Sequence, residues 1–446
     1  MKHKLKKLIL FFLSGTMLFF MCNAQEKKLL TLDEAIDMGI KNSNQLKYSQ
    51  AKIEEATAVL KQAVEKRLPD ASVSGSYLRI IAADFNLDIK NNNSGGGNTG
   101  GTPKVSQAMY GIANASLPIY AGGRIKYGIE SSKYLEQAAK ADADNDKDGV
   151  IQSTIEAFAN LFKAKTAVGL VKENLLQSQQ RTKDFSNLEK NGILARNDLL
   201  KAELQSSNIE LNLLDAENNL QLANINMDIM LGLPTTTELS LDTSGIEKKN
   251  DTRALEDYLQ SAIASRKDIK ATDFRKKAAE TGIKVVKGEM VPSLQLTGGY
   301  IAADVPKVFS IVNAVNMGVG VSYNIGSLWK TKAKLQQAEA KVKQVVTAEA
   351  ILNDNINVQV NKSYLNLLSS RKKIEVYAVA VEQAEENYRI IKNKFDNSLA
   401  TTTDLLEADV AQFQARLSYT LARADAFVAY NKLLQTAGIL SSDLKK

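Results

Sequence analysis

Two hydrophobic rhythms divide this chain. In four short segments apolar and polar residues alternate one by one. In four long segments apolar residues return every three or four positions. Alternation sends successive side chains to opposite faces of a strand, and the longer period marks one face of a helix. The clearest strand is 311–325. Ile311, Asn313, Val315, Met317, Val319, Val321 and Tyr323 share one face; Val312, Ala314, Asn316, Gly318, Gly320, Ser322 and Asn324 share the other. Apolar residues set against small and polar ones give the pattern of a strand with one face in lipid, although an antiparallel sheet in a soluble domain alternates too. Its partner, 293–302, opposes Leu294, Leu296, Gly298 and Tyr300 to Ser293, Gln295, Thr297 and Gly299, and 71–82 and 105–119 repeat the pattern less cleanly. Tyr77, Tyr110, Tyr120, Tyr300 and Tyr323 stand near segment ends, where an aromatic girdle lies. The Gly- and Asn-rich run 91–103 reads as a loop between two strands.

No Pro interrupts the helical period from Gly123 to Lys190, or over 327–394. Each stretch makes a helix of roughly 100 Å, a length that belongs to coiled coils. Ile374, Tyr377, Val381, Ala384, Tyr388, Ile391 and Phe395 form a heptad stripe. Leu199, Ala202, Ser206, Ile209, Leu213, Ala216, Leu220, Ala223, Met227 and Met230 form another, and the positions 206 residues later, Leu405 to Thr436, keep its register. The last helix carries a second stripe, Leu406, Val410, Phe413, Leu417, Phe427 and Leu434. Two adjacent stripes let one helix pack against a neighbour on each side, as in the wall of a hollow cylinder. A simple antiparallel coiled coil is the alternative.

The chain repeats itself. LPDASVSGSY at 68–77 returns as VPSLQLTGGY at 291–300, and DLLKA at 198–202 returns as DLLEA at 404–408. Helix, Pro, strands, long helix, turn and second helix follow in the same order in both halves, so one unit is used twice. The division predicted is 1–24, a signal peptide, then 25–240 and 241–446, the two copies. Four strands cannot close a barrel that spans a membrane, since about eight is the minimum. Open edges in lipid cost several kcal/mol per unpaired group, so copies of the chain must associate.

Composition sharpens this. Hydrophobic residues make up 44% and aromatic residues only 6%, which suits long helices better than a large globular core. Lys2, Lys4, Lys6 and Lys7 precede an apolar run from Leu8 to Met21, and Cys22-Asn23-Ala24 offers a cleavage site. Acylation at Cys22 is the rival reading of this segment. Cleavage removes the only Cys and the only His, His3. The remaining chain has no residues for a disulfide, a usual zinc site, or His- or Cys-based catalysis. It also lowers the formal charge from +7 to +3, and no basic stripe with interleaved aromatics marks nucleic-acid binding. Asp144-Asn145-Asp146-Lys147-Asp148-Gly149 imitates a calcium loop, but the required acid at the twelfth position is Ile155. No catalytic constellation, cofactor motif or metal set is evident.

Each long helix ends in a break, Asn191-Gly192-Ile193-Leu194 and Asn397-Ser398-Leu399-Ala400, followed by Asn197-Asp198 or Thr403-Asp404 as expected helix starts. The breaks lie at the far end of the helices from the strands. They present Gly192, Ile193, Leu194, Ser398, Leu399 and Thr401 as a candidate docking surface. Packing inside the turn is the plainer alternative. Asp404 and Glu407 lie three apart on one helix face. In a rotational oligomer each becomes a ring of acids, which favours cations and raises the pKa of its members. Solvated helix caps are the other reading.

The segment order, the duplication and these turns resemble the TolC-like outer membrane efflux protein family. Leu117-Pro118-Ile119-Tyr120-Ala121-Gly122-Gly123-Arg124 is similar to its strand-to-helix signature, and Leu231-Gly232-Leu233-Pro234 to the end of its first half. The resemblance spans about Leu30 to Leu440. It implies a mainly α fold with a β-barrel portion: a homotrimer whose 12-stranded outer-membrane β-barrel joins a 12-helix periplasmic α-barrel. It implies a passive exit duct of a tripartite efflux or type I secretion system in a Gram-negative outer membrane. Drugs, small molecules or proteins would be its cargo, with no enzymatic activity and no cofactor. The implied partners are outer membrane lipid, a periplasmic adaptor (membrane fusion) protein at the helix tips, and an inner-membrane RND or ABC transporter. Asp404 and Glu407 fall on the family's periplasmic acidic ring. Asp198 falls on a carboxylate of the latch that closes the tunnel, whose partner positions here are Ala400 and Phe395 instead of Arg and Tyr. Gly326-Ser327-Leu328-Trp329 departs from the double-glycine turn. A coiled-coil scaffold without a channel is the alternative function.

Overall fold

A computed structural model describes residues 28–81, 106–243, 253–306 and 309–443. The signal segment 1–24 with Cys22 and the loop 91–103 lie outside these residues. In chain order the elements are β1 (Lys28–Leu30), α1 (Leu32–Asn42), α2 (Asn44–Glu65), β2 (Asp70–Arg79), β3 (Gln107–Ala121), α3 (Arg124–Lys190), α4 (Arg196–Leu231) and β4 (Leu239–Leu241). Then come α5 (Leu255–Ser265), α6 (Lys267–Lys287), β5 (Ser293–Val305), β6 (Phe309–Ser322), α7 (Ser327–Asp396), α8 (Thr402–Thr436) and α9 (Leu440–Asp443). No helix among the described residues is long and apolar enough to cross a membrane. The acidic run 144–149 lies inside α3 and forms no loop.

The chain gathers into two compact units, and each draws on both halves of the sequence. One comprises the chain up to Tyr48 with Asp144–Lys267 and Asn353–Lys446. Its core is built where β1 and β4, paired in parallel, meet α1, α3 and α4: Leu30, Ala35, Phe158, Leu161, Met227, Leu231 and Leu239 are buried together. The stripe from Leu199 to Met230 is at least half-buried along its whole length. Leu200, Leu204, Leu211, Leu222 and Ile229 on the same helix stay exposed, as do Val358, Leu365, Leu368, Val376 and Val379 on α7.

The second unit comprises Ser49–Ala143 and Asp268–Leu352. It holds an antiparallel sheet in the order β2-β3-β5-β6. Paired residues on neighbouring strands point to the same side, so the register defines two faces. One carries Val73, Ala113, Ala115, Leu117, Leu294, Leu296, Tyr300, Val315, Met317, Val319 and Val321. The other carries Ser72, Ser74, Asn114, Ser116, Gln295, Thr297, Gly299 and Asn316. Both faces are accessible in the single chain: Met317 on the apolar one is 85% accessible, and Ser72, Ser74, Asn114 and Asn316 on the other are exposed as well. On the polar face Gly299 leaves room for two amides: a Cβ on it would meet Asn316 Oδ1 at 2.5 Å and Asn114 Oδ1 at 3.1 Å.

One face assignment made from alternation fails. The register of β5 against β6 shifts between Ile301 and Ala303, and Asn313 there has φ 58°. Asn tolerates the left-handed region better than most residues, and the extra residue makes a bulge. Ile311 therefore shares the face of Ala314, and Val312, 68% exposed, joins Val315 and Met317. Tyr300 Oη lies 2.7 Å from Asn313 Oδ1 and holds the bulge.

The double glycine between β3 and α3 has a steric cause. Gly122 has φ 62°, and a Cβ on it would sit 2.3 Å from the carbonyl oxygen of Gly288, just past α6. Gly288 meets Gly122 O equally closely, so two backbones touch where side chains would separate them. Gly122→Ala is expected to cost about 1–3 kcal/mol, the usual range for overpacking. Gly111→Ala, in β3 with nothing within 4 Å of its Cβ position, serves as the control. Thermal unfolding in detergent compares the two, and equal losses would refute the packing argument.

Candidate functional site

The two helical turns are copies of one another. Asn191 Nδ2 donates to Asn187 O at 2.8 Å, and Asn397 Nδ2 donates to Asn393 O at 2.7 Å. Gly192 has φ 71° and Ser398 φ 61°. Ile193 N–H reaches back to Leu188 O at 2.9 Å, and Leu399 N–H to Lys394 O at 2.7 Å. This is the left-handed helix stop with its long back-bond. Ser398 adopts it without being a glycine, at a local cost that Gly192 avoids.

The geometry places two apolar side chains outward, Ile193 (72% exposed) and Leu399 (76%). Gly192, Ser398 and Thr401 are exposed beside them. Leu194 does otherwise. It was expected at the tip but is half-buried, packed with Leu188, Tyr388, Ile391 and Phe395 against Phe185, Leu199, Ala202 and Leu405. The Phe185 and Phe395 rings stack at 5.4 Å between centroids. Leu194 closes the bottom of that cluster, so the outward surface is smaller than the sequence implied.

The helix starts also differ from expectation. The N-caps are Ala195 and Thr401, two residues before Asn197 and Thr403. Asp198 and Asp404 are thus both third helical residues, but their caps differ. Thr401 forms a capping box: its hydroxyl accepts from Asp404 N–H at 3.2 Å, and its own N–H donates to Asp404 Oδ2 at 2.8 Å. The Thr401 hydroxyl also donates to Asp404 Oδ2 at 2.7 Å. These bonds, the backbone one foremost, hold the Asp404 carboxyl below its ordinary range. Within one chain, the direction is opposite to the rise expected of a ring of acids. Ala195 offers no such bonds. Asp198 instead takes Lys201 Nζ at 3.1 Å, and Lys201 reaches across to Thr403 Oγ1 of α8 at 3.2 Å. Ala400 and Phe395 make no polar link to Asp198, and Lys201 is the polar neighbour in their place. Glu407 stands exposed one turn beyond Asp404.

A third feature escaped the sequence. Arg181 of α3 pairs with Asp409 of α8 through two parallel bonds, Nη1–Oδ2 and Nη2–Oδ1, both 2.9 Å. Their side chains are 9% and 3% exposed. Tyr388 of α7 adds its hydroxyl at 3.3 Å from Nη2. The network ties the first helical hairpin to the second about three turns before the Gly192 turn. Its signal was present: Asp409 lies between the two apolar stripes of α8, and a buried acid there demands a partner.

Comparison with known proteins gives one consistent result. The profile of the family described as outer membrane efflux protein matches residues 35–233 and 258–439. The outer membrane efflux protein BepC of Brucella suis biovar 1 is 21% identical over 437 residues, covering 97% of this chain and 89% of that protein. The outer membrane protein TolC of Vibrio cholerae is 22% identical over 356 residues, 76% of this chain and 78% of the relative. Among solved structures, the outer membrane channel CmeC of Campylobacter jejuni superposes with a TM-score of 0.75 at 17% identity, over 93% of this chain and 88% of that one. The outer membrane protein VceC of Vibrio cholerae superposes with a TM-score of 0.74 at 18% identity, over 91% and 96%.

Proposed function

Since the chain belongs to the outer membrane efflux protein family, we propose that three copies assemble into a channel-tunnel through which exported molecules leave the cell. The family is one of channels, not of enzymes, and its place is the Gram-negative outer membrane with helices reaching into the periplasm. The observation that carries the reading is the sheet: one face of apolar side chains, one of small and polar side chains, and free outer edges on β2 and β6 among the described residues. Such edges are tolerated in lipid only when paired. Pairing β6 of one copy with β2 of the next turns three four-stranded sheets into one closed wall. The exposed stripes on α4 and α7 give the helices the same opportunity.

In this reading the polar row Ser72, Asn114, Gly299 and Asn316 lines the lumen. Asp404 and Glu407, repeated three times, form the cation-favouring ring at the periplasmic end. Ile193 and Leu399, with Gly192, Ser398 and Thr401, form the surface for a periplasmic adaptor, which links the duct to an energised inner-membrane transporter of the RND or ABC type. Asp198, through Lys201, braces the two hairpins at that end and serves as a gate element. The signal peptide 1–24 and the repeats 25–240 and 241–446 complete the organisation. Light scattering or native mass spectrometry in mild detergent is expected to give the mass of three chains, converting to one on heating. A monomer under all mild conditions would refute the assembly.

A further inference from the structure

All four helix–strand junctions lie toward one end of the sheet: Ala121, Ser293 and Ser322 are paired neighbours there, and β2 starts at Asp70, opposite Ser116 and a few residues short of that row. That end is unusually basic. Lys66, Arg67, Lys287, Lys330, Lys332 and Lys334 are all exposed. The carboxylates at the three junctions that carry these cations, α2–β2, α6–β5 and β6–α7, are Glu65, Asp70 and Glu289, and Glu289 is taken up by Lys334 at 2.6 Å. Next to the cations lies an exposed apolar patch where β6 runs into α7: Tyr323, Ile325, Leu328 and Trp329, the last 65% accessible. Trp329 is the only Trp in the chain. Thr331 and Ser327 are buried on the opposite side of that first turn, so the helix presents Trp329 and Lys332 outward, with Lys330 exposed at the flank.

An indole with apolar neighbours seeks the acyl–headgroup boundary, and lysines one turn further on reach the headgroup layer. We propose that this collar binds the headgroups of anionic phospholipids in the periplasmic leaflet. Trp329 and Leu328 would enter the acyl region, and Lys330 and Lys332, with Lys287 on the junction of the neighbouring strand β5, would face the phosphates. The proposal rests on the sheet being the membrane-spanning part. It accounts for a turn that lacks the double glycine of its counterpart. Gly326-Ser327-Leu328-Trp329 gives up the close backbone approach of Gly122 and gains a lipid anchor.

The single Trp makes the test direct. The full-length mature protein is reconstituted in zwitterionic vesicles with a small fraction of brominated phosphatidylglycerol or brominated phosphatidylcholine, and Trp329 fluorescence is read. The account expects the anionic lipid to associate about fivefold or more strongly, the ratio one basic side chain near an anionic surface supplies. The preference should collapse in the Lys330→Gln/Lys332→Gln variant, checked for its three-chain mass, and in wild type at molar salt, where screening is short-ranged. Equal quenching by both lipids, or a preference that persists at molar salt, would overturn the lipid assignment and leave membrane insertion standing. No quenching by either lipid would place Trp329 outside the bilayer and overturn the spanning sheet as well.

Discussion

Replacing Asp409 by Ala is expected to destabilise the protein by about 3–5 kcal/mol, the range for removing one partner of a buried ion pair. The remaining Arg181 guanidinium would stay beneath α7 and α8 with only Tyr388 Oη, 3.3 Å away, as partner. Most of the loss is the cost of leaving a charge unpaired in a dry site, not the net worth of the pair. The control is therefore Arg181→Met with Asp409→Leu, which removes both charges and keeps the volume. It should recover most of the lost stability and could exceed wild type. Thermal unfolding of the three variants in detergent decides. If Asp409→Ala alone costs less than about 1 kcal/mol, as an exposed pair would, the buried network has been misread.

The second large effect concerns Asp228, fully buried near the end of α4. Asn224 Nδ2 donates to its Oδ2 at 2.9 Å, while Oδ1 has no hydrogen-bond partner. Burial raises its pKa to about 6. The folded state thus holds this proton more tightly than the unfolded chain, where the carboxyl titrates near ~3.9. Protonation favours folding, so stability falls as pH rises between those two values and stays low above them. A shift of about two units corresponds to about 3 kcal/mol. Asp228→Asn cannot ionise. At pH 7.5 it should be more stable than wild type by up to about 3 kcal/mol, and at pH 4 the advantage should vanish. Parallel pH profiles for the two proteins would mean that Asp228 is solvated or paired.

The periodicities carried most of the fold. Strand alternation located β2, β3, β5 and β6 to within a few residues because each has one apolar face, and that pattern tolerates only one register. Alternation failed at Asn313, where one left-handed residue inserts a bulge and moves Ile311 across the sheet; nothing in an apolar–polar count marks such a residue. Heptads located the long helices and their seams for the same reason. The tips were only partly legible. The sequence shows that Ile193, Leu194 and Leu399 are apolar, but which of them points outward depends on the back-bond to Leu188 or Lys394. That bond turns Leu194 under the helix and Ile193 out. The capping chemistry was also visible, though two residues displaced. Thr401 and Asp404 form a capping box where the helix start was expected at Thr403-Asp404, and Ala195 breaks the symmetry that the repeat implied. The Arg181–Asp409 pair joins residues on different hairpins, and no local spacing connects them.

Single-channel recording in planar bilayers tests the central claim most directly, with wild type beside Asp404→Asn/Glu407→Gln. Asn at 404 keeps an acceptor for the Thr401 cap, so the double variant removes charge and spares the helix start. The account predicts discrete, cation-selective currents from the trimer and a clear loss of selectivity in the variant. A detergent-stable trimer that passes no current at any voltage, in either form or with the Asp198–Lys201–Thr403 brace removed by Lys201→Gln, would contradict the duct and leave a coiled-coil scaffold in its place.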